Sequence, residues 1–520
     1  MSALRTWLRL PKPSWVFWVS GLGAMAVFMV HLAASWNQPW VANPDQDLVF
    51  LRDGLRLATL QQPGYSDHPG LVQMLIGAAA HVLLHSTGSR GLDDQHWQRI
   101  FQLHKILNGC SMAVLIAICS TLVGQLTRPR SGVIWGLMCA LGLGSTVLVY
   151  QLRNEFFSAF CFYIAALMLW LKLQKPTPLS MGWLLQFHGL LYLSLLAKVQ
   201  VLPLLILLNG GVLIWLLRRG SVEAAGMLRA QGWLAAASGV AALLIQHPPS
   251  TLGTWATTAS VLVLVGAPGV GVTLATARAH PGARPHWATT AAAFAMASVA
   301  YGAVVQRFHW QAISWNPYAM GRYRIDMGGH CDWACYIARA GDAISGLFER
   351  SFDGLVIAQL LSLVVPVMLL FTWLKSSSPP TDRNRHSTGI SHPASASLAL
   401  CGSALLMSVM ASWRWPVDHY LPYQQPLLFL SLIIAAEGLK PQLLWKGLLI
   451  YTALSLTLIN LRYPEQARST FLKYSPQALL ERRATAGPIS DREPICWQQH
   501  AGREWDGSML RDLCQWPTNP

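Results

Sequence analysis

The sequence predicts an all-α polytopic membrane protein with about 13 transmembrane helices. Two observations predict this class. Of the 520 residues, 53% are hydrophobic and only 12% are charged, where soluble chains carry about a quarter charged residues. The apolar residues also fall in blocks of roughly 16–23, long enough to cross a bilayer as helices. Hydrocarbon offers no water to backbone N–H and C=O groups, so these blocks must be helical. The mean hydropathy of +0.36 agrees, and a soluble multidomain protein is excluded.

The formal charge of +15 does not point to nucleic acid. The basic residues stand singly or in pairs beside apolar blocks, with no long run to track phosphates. Arg5, Arg9 and Lys12 precede the first apolar block and place the amino terminus in the cytosol. Ser14 to Ala34 is longer than a signal-peptide core, and Trp36 to Trp40 offers no small-residue cleavage site, so the block reads as an uncleaved first span.

The next apolar stretch, Leu71 to Leu84, is short and follows His68-Pro69-Gly70. A full crossing would put Arg128 and Arg130 outside. Reading the stretch as interfacial or only dipping in keeps both cytosolic, and that reading is adopted. Further spans are expected near 104–126, 131–150, 156–173, 182–197, 199–217, 230–246, 254–275, 287–306, 353–374, 395–412, 425–440 and 442–461. The transmembrane module is then 1–461, with outer loops 35–103, 307–352 and 413–424, and residues 462–520 form an outer carboxy-terminal tail. Pro379 to His392 reads as a cytosolic loop.

Nine cysteines divide by setting. Cys110, Cys119, Cys139, Cys161 and Cys401 lie in apolar blocks and read as packing residues. Cys331, Cys335, Cys496 and Cys514 lie in outer polar segments, where oxidation is expected and three pairings are open.

The outer loops gather ionisable residues. The first holds Asn43-Pro44-Asp45-Gln46-Asp47, then Arg52, Asp53 and Arg56, then Tyr65-Ser66-Asp67-His68-Pro69-Gly70. A helix from Leu48 to Leu60 would group Leu48, Leu51 and Leu55 on one side and Arg52 with Arg56 on another, suiting a membrane-surface helix. Asp45 or Asp47 also suits a plain N-cap. The second cluster, Arg153-Asn154-Glu155, also reads as a solvated turn. The third is Lys198, at the tip between two short spans, where snorkelling is the plainer account. The fourth runs from Trp413-Arg414-Trp415 through Asp418-His419-Tyr420-Leu421-Pro422-Tyr423, and its aromatics fit an interface belt. Together, carboxylates beside cations on one surface suit activation of a hydroxyl while an anionic phosphate departs.

At these residues the chain resembles the GT-C superfamily of membrane glycosyltransferases, of the protein O-mannosyltransferase and aminoarabinose transferase type. The likeness rests on several features in order. They are an acid soon after the first span, a juxtamembrane helix, and a His-Pro segment at His68-Pro69 before an apolar stretch. A second acid follows in Arg153-Asn154-Glu155, then Leu196-Ala197-Lys198 between short spans and His419-Tyr420-Leu421-Pro422 near the end. The resemblance is densest over 36–200. It implies a GT-C-like bundle with juxtamembrane helices in the first outer loop and a small outer tail.

For function, the resemblance implies transfer of a sugar from a polyprenyl-phosphate donor to an acceptor hydroxyl, with inversion, on the extracytoplasmic face. Asp45 or Asp47 would take the acceptor proton, with Glu155 as a further catalytic acid. Lys198, Arg52, Arg56, His419 and Arg153 would bind the donor phosphate, and Tyr65, Asp67, His68 and Tyr420 would contact substrate. Histidine stands at 419 where the family has arginine. Members differ in metal use, so Mg²⁺ or Mn²⁺ on Asp45, Asp47 and Glu155 stays open. The implied partners are a polyprenyl-linked sugar, a lipid, glycan or protein acceptor, and membrane lipid, with no nucleic acid. The implied location is a bacterial inner membrane, in cell-envelope glycan synthesis. A transporter or flippase, or a non-catalytic accessory subunit, is the competing reading. Transporters place ionisable groups within spans, where this sequence offers mainly His188 and Glu437.

Overall fold

The computed structural model describes residues 14–38, 47–63, 70–86, 94–174, 177–218, 251–279, 287–308, 333–352, 393–412 and 418–438, with Thr457 and Leu461. Every regular element among the described residues is helical. Five helices are long and apolar enough to cross a membrane, or six if one bent pair counts as a single span. The expected spans at 230–246, 353–374 and 442–461 lie outside the described residues, as does the tail 462–520.

Helix α1 (Trp15–Ala34) buries Val16, Ser20, Ala24, Phe28, His31 and Leu32, a stripe at helical spacing. Its other side exposes Trp18, Leu22 and Val30, Leu22 by 66%. So much open apolar surface is tolerable where the surroundings are hydrocarbon. A short helix α2 (Asp47–Ala58) follows, then α3 (Leu71–Ser86) and the 33-residue α4 (Asp94–Leu126). At 1.5 Å per residue α4 is about 50 Å long, well beyond the hydrocarbon thickness. The first loop therefore ends at 93 rather than 103, and its last expected residues are a helical extension of the span.

The stretch read as the third full span is two helices, α5 (Pro129–Leu141) and α6 (Leu143–Tyr150), bent by 47°. The break is at Gly142, whose backbone is extended. A Cβ there would lie 2.9 Å from Gln425 Oε1, so a side chain would displace that neighbour. Next come α7 (Glu155–Gln174), α8 (Met181–Ala197) and α9 (Leu202–Arg218). They are followed by α10 (Thr251–Ala279), α11 (Trp287–Arg307) and α12 (Trp333–Phe352). The described chain closes with α13 (Pro393–Ser412), a 3₁₀ turn Asp418–Tyr423, and α14 (Gln425–Gly438).

Pro268 interrupts the bonding of α10. It has no N–H for the carbonyl of Leu264, and the Asn209 amide of α9 supplies that bond instead, at 2.9 Å. The expected surface helix is present one residue early, but it does not lie open on a membrane surface. Val49, Phe50, Leu51, Arg52, Asp53 and Leu55 are all buried. The reason is a close crossing with α3, because a Cβ on Gly54 would lie 2.8 Å from the Gly77 carbonyl carbon. Helix α3 packs between α2 and α4 and leaves Leu75, Val82 and Leu83 exposed.

Cys110, Cys119, Cys139, Cys161 and Cys401 are free thiols. Cys335, in α12, is disulfide-bonded to a partner outside the described residues. In protein purified without reductant and alkylated after denaturation, Cys335 should stay unlabelled and the five span cysteines should label. Peptide mass spectrometry reads both, and labelled Cys335 in unreduced protein would contradict the assignment.

Candidate functional site

The site forms where the end of α1, the loop helices α2 and α3, the end of α6, the start of α7 and the end of α8 meet. The sequence order forces this meeting: each span that leaves this end must be followed by one that returns to it. Glu155 opens α7, and a carboxylate is favoured near a helix amino terminus. Lys198 follows the last residue of α8, in extended backbone. The Ser158 hydroxyl is shared between the carbonyls of Ser194 (2.8 Å) and Lys198 (3.0 Å), which fixes that break against α7.

Lys198 Nζ lies 3.5 Å from Glu155 Oε1, and Arg153 Nη1 lies 3.9 Å from the same oxygen. Glu155 is fully buried and Lys198 is 2% exposed. Lys198 is therefore not a snorkelling side chain at a hairpin tip, and Arg153-Asn154-Glu155 is not a solvated turn. A buried lysine and carboxylate offset part of each other's desolvation, and each is costly without the other. Arg153 is also anchored through Nε to Gln151 Oε1 at 2.7 Å.

Asp47 holds the backbone three residues before Glu155. It is fully buried, and its Oδ1 accepts the backbone N–H of Leu152 at 2.7 Å. The carboxylate of the first loop thus grips the backbone of the second, a longer-range task than the local N-cap open to it.

A second tie crosses the same gap. Asn154 Oδ1 accepts the N–H of Gln73 at 3.1 Å, covering an orphan donor in the first turn of α3. Gln73 donates through Nε2 to Asn108 Oδ1 (2.7 Å) and to the Arg153 carbonyl (2.9 Å). Its Oε1 meets His104 Nε2 at 2.7 Å, and Asn108 donates to the Leu148 carbonyl at 3.0 Å. Removing the cap by Asn154→Ala should cost about 1–2 kcal/mol of stability. A drop of about 1–2 °C in Tm is expected for a chain of this size, and an unchanged Tm would contradict this role for the tie.

The other expected site residues divide. Arg52 turns its Nε to Asp53 Oδ1 at 3.1 Å, and both are buried. Arg56 is half-buried and reaches the Gln62 carbonyl at 3.5 Å. The 3₁₀ turn carrying His419 and Tyr420 packs against α6 and α7. Tyr163 donates to the Tyr423 carbonyl at 2.9 Å, and the Gly144 N–H donates to Gln425 Oε1 at 3.0 Å. The His419 side chain lies outside the described residues, as do Asp45, Tyr65, Asp67 and His68.

Among the described residues, no three His, Cys, Asp or Glu side chains come together as a metal site. The two described acids are also badly disposed for a hard cation. Glu155 faces two cations, and one Asp47 oxygen is engaged by an amide. Such a set does not fit Mg²⁺ or Mn²⁺, which need several converging oxygens.

Sequence reading missed Lys105, His104, Asn108 and Gln73. The signal was a polar stripe at helical spacing within the start of α4. Gln98, Gln102 and Lys105 all reach back to the exit of α1, Gln98 to the Gln38 carbonyl and Gln102 to the Trp36 carbonyl. No family sequence model matches the chain, and no curated protein matches it.

Proposed function

We propose that this protein is a membrane glycosyltransferase that moves a sugar from a polyprenyl-phosphate donor to an acceptor hydroxyl. The observation that carries the reading is the buried Lys198–Glu155 pair beside a loop whose backbone the buried Asp47 holds at Leu152, all drawn from parts of the chain far apart in sequence. In the proposed step the acceptor oxygen attacks the anomeric carbon from the side opposite the phosphate. The new C–O bond forms as the bond to the phosphate oxygen breaks, and the configuration inverts. The acceptor proton passes to Asp45 or Asp47, and polyprenyl monophosphate leaves with the bonding electrons. Lys198 and Arg153 offset the charge that grows on that leaving group.

In this reading the bundle has about 13 spans, a cytosolic amino terminus and its site on the opposite face. The location is a bacterial inner membrane, and the product belongs to the cell envelope. The test is incubation of purified protein with polyprenyl-phosphate hexose and pentose donors and a membrane extract. Covalent addition of sugar to an acceptor, with stoichiometric polyprenyl phosphate release, is expected. Absence of both with every donor would overturn the reading.

One observation favours a transporter or flippase instead. His188 is fully buried in α8 and lies against Gly269, next to the Pro268 break; a Cβ on Gly269 would come within 2.7 Å of the ring. Ionisable groups beside broken helices mark many transport pathways. Uptake of lipid-linked sugar by proteoliposomes, with no covalent product, would support that alternative.

A further inference from the structure

We infer that Lys105 is a positioning residue for the transfer reaction, tying the exit of the first span to the segment that holds Asp47. The inference rests on the glycosyltransferase reading of Asp47. It concerns a residue inside an apolar span, with no place in the motifs that suggested the function.

Lys105 lies about three turns into α4 and is 2% exposed. Its Nζ is 2.7 Å from Ser35 Oγ, 3.1 Å from Gln38 Oε1 and 3.4 Å from the Ser35 carbonyl. The same nitrogen lies 5.2 Å from the ring centre of Phe101 and 5.8 Å from that of Tyr150. Among the described residues its hydrogen-bond partners are neutral, which makes a buried ammonium expensive, and ring faces recover part of that cost.

The surroundings show what this cation fixes. Gln38 also donates to the Tyr150 carbonyl at 3.2 Å, and Tyr150 OH is 2.9 Å from His31 Nδ1 on α1. Residues 35–38 lead into the loop that carries Asp47, while Tyr150 stands two residues before Leu152, whose N–H holds that carboxylate. Lys105 thus ties together the two segments that determine where Asp47 sits. Glutamine is shorter than lysine and cannot span from α4 to both Ser35 and Gln38, whereas arginine has the reach and the donors to do so.

The experiment compares wild type, Lys105→Gln, Lys105→Arg, Asp47→Asn and the Lys105→Gln/Asp47→Asn pair in the transfer assay, using full-length protein that elutes and melts like wild type. Lys105→Gln should lower kcat by about 30-fold or more with the donor KM within about threefold, since the geometry that sets the base is lost but the donor site is not. Lys105→Arg keeps a long side chain with several donors and should recover most of that loss. The double variant should be no slower than Asp47→Asn alone, because residues acting as one unit are non-additive. If Lys105→Gln does not accumulate, Lys105→Met takes its place as the uncharged variant. A wild-type kcat in the uncharged variant, or losses that multiply in the double variant, would overturn the positioning role alone. A wild type that transfers nothing would overturn the glycosyltransferase reading and the role of Lys105 with it.

Discussion

Replacing Lys198 by methionine should destabilise the protein by about 3 kcal/mol and abolish most donor binding. The stability loss follows from the pair itself. Glu155 is fully buried, and Lys198 is its nearer cation at 3.5 Å, with Arg153 at 3.9 Å. Removing one partner of a buried ion pair leaves a carboxylate in a poorly solvating interior, at a cost of about 3–5 kcal/mol. The presence of Arg153 places the expectation at the lower end. The second variant, Lys198→Met/Glu155→Gln, removes both charges and should recover more than half of the lost stability. Thermal unfolding in detergent reads both, and a Lys198→Met protein melting like wild type would show that the pair contributes little. In the proposed function the same lysine faces the donor phosphate. The Kd for polyprenyl phosphate should therefore rise at least about tenfold in both variants, because glutamine in place of Glu155 restores no cation.

Asp47→Asn should separate structure from chemistry at the acid of the first loop. Asparagine retains a side-chain oxygen for the Leu152 N–H, which Asp47 now binds at 2.7 Å. Folding should therefore be nearly unaffected. Transfer should fall by about 10²–10⁴-fold, the range expected when a positioned base is removed. Asp47→Ala should lose both activity and stability, by about 1–3 kcal/mol for the buried amide left unmatched. Steady-state kcat together with Tm decides the matter. An Asp47→Asn enzyme with wild-type kcat would leave Asp47 as a tie between loops and pass the role of base to Asp45.

Much of the bundle is legible in the sequence because hydrocarbon imposes one solution on an apolar block. The expected spans at 156–173, 182–197 and 287–306 differ by only a few residues from the helices Glu155–Gln174, Met181–Ala197 and Trp287–Arg307. Boundaries are lost where a helix outruns the bilayer, as α4 does from Asp94, since hydropathy marks the membrane and not the helix. The bend at Gly142 was hidden because both halves are apolar and together pass as one span.

The charged part of the site was legible for a related reason. Glu155 and Lys198 stand out where the surrounding residues are apolar, and a turn is the only apparent way to place them. Their burial was not legible, because it depends on α7 and α8 packing side by side. The neutral part was invisible: Gln73, His104 and Asn108 carry no charge, and their partners lie 31–81 residues away. Lys105 was overlooked because it falls one residue inside the expected span, where a lone lysine reads as a boundary marker.

The most direct test is sugar transfer by purified wild type against the Asp45→Asn/Asp47→Asn double variant. It would use polyprenyl-phosphate hexose and pentose donors with membrane extract as acceptor. Transfer by wild type, lost in a variant that folds and still binds polyprenyl phosphate, is the predicted result. No transfer by wild type from any donor, with equal polyprenyl-phosphate binding by both proteins, would contradict the account and favour a flippase or an accessory subunit.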